Sequence, residues 1–138
     1  MNDTWTDEVS VPGVVLIGDA AGYNDAIIGE GLSIALRDAR SVAETLTDGP
    51  DWSREAFGDY ARERSERMRR LRICASLTTD LRCTFTPEGR ARRAAFFGAV
   101  GDDPSLAAVI FVAPIAGPEA APAEAFDRSN IDRILTLA

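Results

Sequence analysis

Near the N-terminus the stretch Gly13-Val14-Val15-Leu16-Ile17-Gly18 is continuously apolar, β-branched and bracketed by glycine. This pattern predicts a strand buried on both faces in a parallel or mixed sheet. Residues 1 to 12 are polar and interrupted by Pro12, and read as an extended lead-in. After the strand, residues 18 to 31 are dense in small side chains (Gly18, Ala20, Ala21, Gly22, Ala26, Gly29 and Gly31), so the backbone can approach a ligand closely. From Glu30 to Leu46 the positions Leu32, Ala35, Leu36, Ala39, Val42, Ala43 and Leu46 recur every three or four residues, the period of an amphipathic helix. Asp48-Gly49-Pro50 is expected to stop it.

Ser53 is placed to cap a second helix, which runs to about Thr79 through Phe57, Tyr60, Met68, Leu71, Cys74, Ala75 and Thr78. Pro87-Glu88 opens a third helix through Phe97, with a break expected from Gly98 to Pro104. Periodicity does not decide between helix and strand for residues 105 to 112. The Pro- and Ala-rich stretch from Pro114 to Ala125 reads as a loop, and Asp127 to Leu137 as a last short helix. Phe96, Phe97 and Phe111 are expected to fill the core. The pattern thus predicts an α/β fragment that is mostly α: one buried strand and the following helix over 1–47, then C-terminal helices over 48–138.

Composition narrows the chemistry. The 138 residues include no histidine, which removes Ser-His-Asp triads, Cys-His dyads and the usual zinc hydrolase sites. The net charge of -7 argues against a nucleic-acid binder. No apolar run approaches the roughly 20 residues of a membrane span, and the polar start lacks a secretory signal, so the expected location is the cytoplasm. Cys74 and Cys83 fall in one helix, too far apart to bridge, and are expected to be buried small hydrophobes. The charged run Arg62 to Arg72, with Glu63 and Glu66 at helical spacing, reads as a solvated, partly paired helix face.

The informative unit is Gly18-Asp19-Ala20-Ala21-Gly22-Tyr23-Asn24-Asp25-Ala26-Ile27-Ile28-Gly29-Glu30-Gly31-Leu32-Ser33, between the strand and a helix N-terminus. Asp19 sits at the carboxyl end of the strand, where ligands of open α/β sheets gather, and can accept hydrogen bonds from a polyol. The N–H groups of Gly31, Leu32 and Ser33 open the helix and favour partial negative charge on whatever abuts them. A Gly-Asp turn between strand and helix is by itself a common connection. The whole arrangement, GDAA followed by GxG and then Ala-Leu-x-Asp-Ala, is more specific. It resembles the second FAD-binding motif of the group A flavoprotein monooxygenases, the family of para-hydroxybenzoate hydroxylase.

The resemblance implies a Rossmann-like FAD-binding domain in which Gly18 and Asp19 form the Gly-Asp motif and the Asp19 carboxylate holds the ribityl chain. Ala26 stands in the flavin-side loop, Gly29 and Gly31 let the backbone pass the isoalloxazine, and Leu32 and Ser33 face its pyrimidine edge. Asp25 and Asp38 fall off the matched position. The implied activity is hydroxylation of an aromatic or other small organic substrate with FAD, NAD(P)H and O2. Gly22 stands where the family usually has histidine, and Ala26 where it usually has proline. The family's Gly-x-Gly-x-x-Gly turn and its middle Asp-Gly motif do not occur here, so the chain is expected to act as a C-terminal portion with a complementing N-terminal chain. Two other functions fit the same residues: a non-catalytic helical module docking an acidic partner through Arg62 to Arg72, and a related FAD-dependent reductase or halogenase.

Overall fold

The computed structural model describes residues 3–49 and 51–137. Met1, Asn2, Ala138 and Pro50, the proline expected to help stop the first helix, lie outside them. The chain is mostly α-helical, with two short antiparallel strand pairs. It divides into two compact units, one running to Arg69 and one from Arg70.

In the first unit β1 (Thr4–Trp5) pairs with β4 (Gly22–Tyr23), Thr4 opposite Tyr23 and Trp5 opposite Gly22. β2 (Ser10–Val11) pairs with β3 (Val14–Val15). The strand expected over residues 13 to 18 is therefore only two residues long and antiparallel. It is also not buried on both faces: Val14 is 50% exposed and Ile17 37%. A hairpin partner of two residues covers one edge, and only Val15 and Leu16 reach the core cluster of Val9, Ala21, Val42, Phe57 and Tyr60. Leu16 is held there by its N–H, which donates to Val9 O at 2.8 Å.

α1 (Gly31–Asp48) buries Ile34, Asp38 and Val42, a stripe at i, i+4 and i+8. The expected apolar face is displaced from it, and Leu32 and Leu36 lie in solvent. A carboxylate takes the centre of the buried stripe because two arginines of the next helix come to it there. Ser53 caps as expected, its Oγ accepting from Ala56 N–H at 3.3 Å. A tight 3-10 turn over Glu55–Phe57 then leads into α2 (Gly58–Cys83). The first unit extends past residue 47 because Tyr60, Arg64 and Arg67 of α2 all bond into it.

In the second unit α3 (Pro87–Asp102) is capped by Thr86, whose Oγ1 accepts from Gly89 N–H. It runs through Gly98 and Gly101 to Asp102, with Asp103 at its C-cap, so the break expected over Gly98 to Pro104 falls near the end of that range and not at Gly98. An isolated glycine costs a helix only about 1 kcal/mol. Residues 105 to 112 resolve as helical, with a π-helical turn over Ala108–Val112 running into α4 (Ala113–Ala116). The stretch read as a loop contains two 3-10 turns, Pro118–Ala120 and Ala123–Phe126, before α5 (Arg128–Leu135). Phe96 is buried as expected, whereas Phe97 is half exposed. Cys74 is buried, but Cys83, the last residue of α2, is exposed. Among the described residues no helix is long and apolar enough to cross a membrane.

Candidate functional site

Residues 18 to 34 enclose an open cavity of about 510 Å³, lined by Asp19, Tyr23, Asn24, Asp25, Ala26, Ile28, Gly29, Glu30, Gly31 and Ile34. Two glycines shape the turn that leads into it. Gly18 begins a 3-10 turn over Gly18–Ala21 with φ of 53°, and a β-carbon there would stand 3.1 Å from Ala35 Cβ. Gly22 has φ of 117°, and its β-carbon would fall 2.5 Å from Trp5 Cα. The strand pairing with Trp5 thus leaves no room for a side chain at this position.

Behind the cavity the turn is gripped by Arg64. Its guanidinium donates to the carbonyls of Gly18 at 3.0 Å, Gly22 at 3.1 Å and Ala21 at 3.3 Å, and its Nε donates to Asp38 Oδ2 at 2.8 Å. The same Asp38 oxygen accepts the Gly18 N–H at 2.9 Å. Asp38 Oδ1 accepts from Arg67 at 2.6 Å, and Arg67 also donates to Glu63. Burial pushes the Asp38 carboxyl upward, but hydrogen bonds from Arg64, Arg67 and Gly18 outweigh it and hold the pKa below the ordinary value. Burial opposes charge on Arg67 too, yet its bonds to Glu63 and Asp38 raise its pKa. The Tyr60 hydroxyl donates to Leu16 O at 2.7 Å, and burial together with the Asp38 charge pushes its pKa up.

The charged run of α2 is in part the solvated, partly paired face expected, with Arg62, Glu66 and Arg69 exposed, but Arg64 and Arg67 turn inward. Arg64 and Arg67 are 2% and 4% exposed, Arg62 pairs with Asp59, Arg69 pairs with Glu66, and Arg70 lies over the Phe126 ring. An ion pair buried this deeply is tolerated when hydrogen bonds offset its desolvation, and here Asp38 and Arg64 are bonded at every polar atom while Arg67 Nη1 is left without a partner. Asp38, off the matched position by sequence, turns out to carry the support of the whole turn. The signal was its place in the Ile34–Asp38–Val42 stripe, with arginines following in the next helix.

Of the sequence-predicted site residues, Asp19, Ala26, Gly29 and Gly31 line the cavity, with the Asp19 residue exposed. Gly18 lies buried behind it. Leu32 and Ser33 are exposed on the first turn of α1 and do not line it. Glu30 places no side-chain cap on α1, and the first bond of the helix runs from Ile34 N–H to Glu30 O at 2.9 Å. The N–H groups of Gly31, Leu32 and Ser33 thus point out of the helix end. Asn24, not singled out by sequence, also lines the cavity, and both polar atoms of its amide are shielded without a hydrogen-bond partner. Among the described residues no three side chains of metal-binding type converge.

Comparison with protein-family models, curated proteins and solved structures found no match to this chain.

Proposed function

We propose that residues 18 to 33 form the ribityl- and ring-binding end of a flavin site in an FAD-dependent monooxygenase of the cytoplasm, completed by a chain that supplies the pyrophosphate-binding turn. The carrying observation is the exposed Asp19 beside a cavity that ends at the uncapped N-terminus of α1. The donor set suits this ligand. A carboxylate accepts from ribityl hydroxyls, and a helix N-terminus favours an electron-rich ring edge. β-Carbons at Gly29 and Gly31 would meet nothing within 4 Å, so the backbone there is open to a flat ring. Bound flavin would pass electrons from NAD(P)H to O2 and thereby hydroxylate an aromatic or other small organic substrate. The protein's own part is to bind and orient: Asp19 holds the polyol, Gly29 and Gly31 leave the path clear, and Arg64 keeps the turn in shape.

The test is flavin fluorescence on titration of the protein with riboflavin and FAD, for the parent, Asp19→Ala and Asp48→Ala. Asp48 ends α1 in solvent and serves as the control, a role for which the buried Asp38 and the turn-capping Asp25 are unsuitable. Losing a charged acceptor costs roughly 1.5 to 3 kcal/mol, or about tenfold to a hundredfold in affinity. Equal binding by all three proteins, or none by the parent, rejects the assignment.

A further inference from the structure

Charge is unevenly divided along the chain. Residues 2–69, the unit that holds the cavity, contain fourteen aspartates and glutamates against seven arginines, whereas residues 70–138 contain eight acids and eight arginines. The whole net charge of -7 therefore belongs to the unit with the cavity. Each of its seven arginines stands in an ion pair with one of the unit's own carboxylates. Three further carboxylates, those of Asp19, Asp25 and Glu30, belong to residues that line the cavity, and among the described residues no arginine lines it.

A space of about 510 Å³ is on the order of 10 Å across, about one screening length at 0.1 M salt. An anion inside it or at its mouth is therefore repelled by all three carboxylates. The N-terminus of α1 opposes them with about half an elementary charge, concentrated at its own first turn. That suits the partial charge on a ring carbonyl. It does not offset a phosphate monoester, which carries about one and a half to two negative charges at neutral pH.

We propose that the cavity selects a phosphate-free, uncharged ligand. Resting on the flavin reading, this chain binds riboflavin more tightly than FMN, and the positive charge that faces the pyrophosphate of FAD comes from the completing chain.

The test is titration of the 138-residue protein with riboflavin and with FMN, which differ by the phosphate alone, followed by flavin fluorescence. At 0.1 M salt the parent is expected to bind riboflavin about fivefold more tightly than FMN. At 1 M salt, where the screening length falls to about 3 Å, the two affinities are expected to agree within about twofold. Glu30→Gln removes one of the three charges and is expected to narrow the preference at 0.1 M. Asp48→Asn, at the far end of the 18-residue α1 and so about 27 Å away, is expected to leave it unchanged. Circular dichroism checks that both variants fold; should Glu30→Gln not fold, the salt series on the parent decides by itself. FMN bound as tightly as riboflavin at 0.1 M salt, or a preference unchanged at 1 M, overturns the proposal and leaves the flavin reading standing. Failure of the parent to bind either flavin overturns both.

Discussion

Arg64 Nε donates to Asp38 Oδ2 at 2.8 Å with the two side chains 3% and 0% exposed, and the same guanidinium holds three carbonyls of the Gly-Asp turn. Asp38→Ala leaves Arg64 buried without a counter-charge and Arg67 with Glu63 alone. Breaking such a pair costs about 3–5 kcal/mol, and we expect a loss of that size in denaturant unfolding. Arg64→Lys keeps the charge but not the planar fork. It is expected to lose a smaller but clear part of the stability, because a lysine cannot serve Asp38 and three carbonyls together.

Acid acts through the same carboxylate. The Asp38 pKa is lowered from 3.8 in the folded chain, so the unfolded chain binds the proton more readily. Its stabilising contribution is complete above pH 3.8 and disappears as the pH falls through the lower folded value. In melts taken at decreasing pH, the parent is expected to lose stability below about pH 4 more steeply than Asp38→Asn, which has no proton to take up. Parallel curves would rule this out.

Gly22 and Gly13 both have positive φ, but only Gly22 is crowded. Gly13→Ala is expected to cost about 1–2 kcal/mol for the left-handed backbone alone. Gly22→Ala adds a clash with the Trp5 backbone and is expected to cost clearly more in the same unfolding assay. Gly22→His, with a larger side chain still, is expected to separate β1 from β4.

Thiol accessibility distinguishes the two cysteines. With Cys74 buried and Cys83 exposed, a thiol reagent such as Ellman's is expected to titrate one group per native chain and two after denaturation. Cys83→Ser should abolish the native reaction.

The elements set by local periodicity were legible in the sequence. α1 and α5 lie within two residues of their expected limits, and Ser53 caps where a serine before a helix should. Contacts made far along the chain were not legible. Leu32 and Leu36 match the helical period as well as Ile34 and Val42 do, and nothing local reveals that Asp38 faces inward. Arg64 and Arg67 look like surface arginines because their partner stands 26 and 29 residues away. Asp19 and the cavity glycines were found from their order along the chain, whereas nothing local marked Asn24, whose amide the fold leaves without a partner. The strand was overestimated because β-branched residues record a preference for extended backbone, not the presence of partners.

The hydrogen bond from Arg64 to the Gly18 carbonyl joins residues 46 positions apart, and this separation sets an order of events. Gly18 has a left-handed backbone and Gly22 a positive φ, so local preference does not hold the turn in place. Its geometry depends on an arginine that arrives only after the intervening loop has closed and α2 has formed, and loop closure precedes the contacts that repay it. The pocket is therefore among the last parts of the first unit to form during folding. In native-state hydrogen exchange the amides of residues 18 to 22 should open together with the first half of α2, as one cooperative unit.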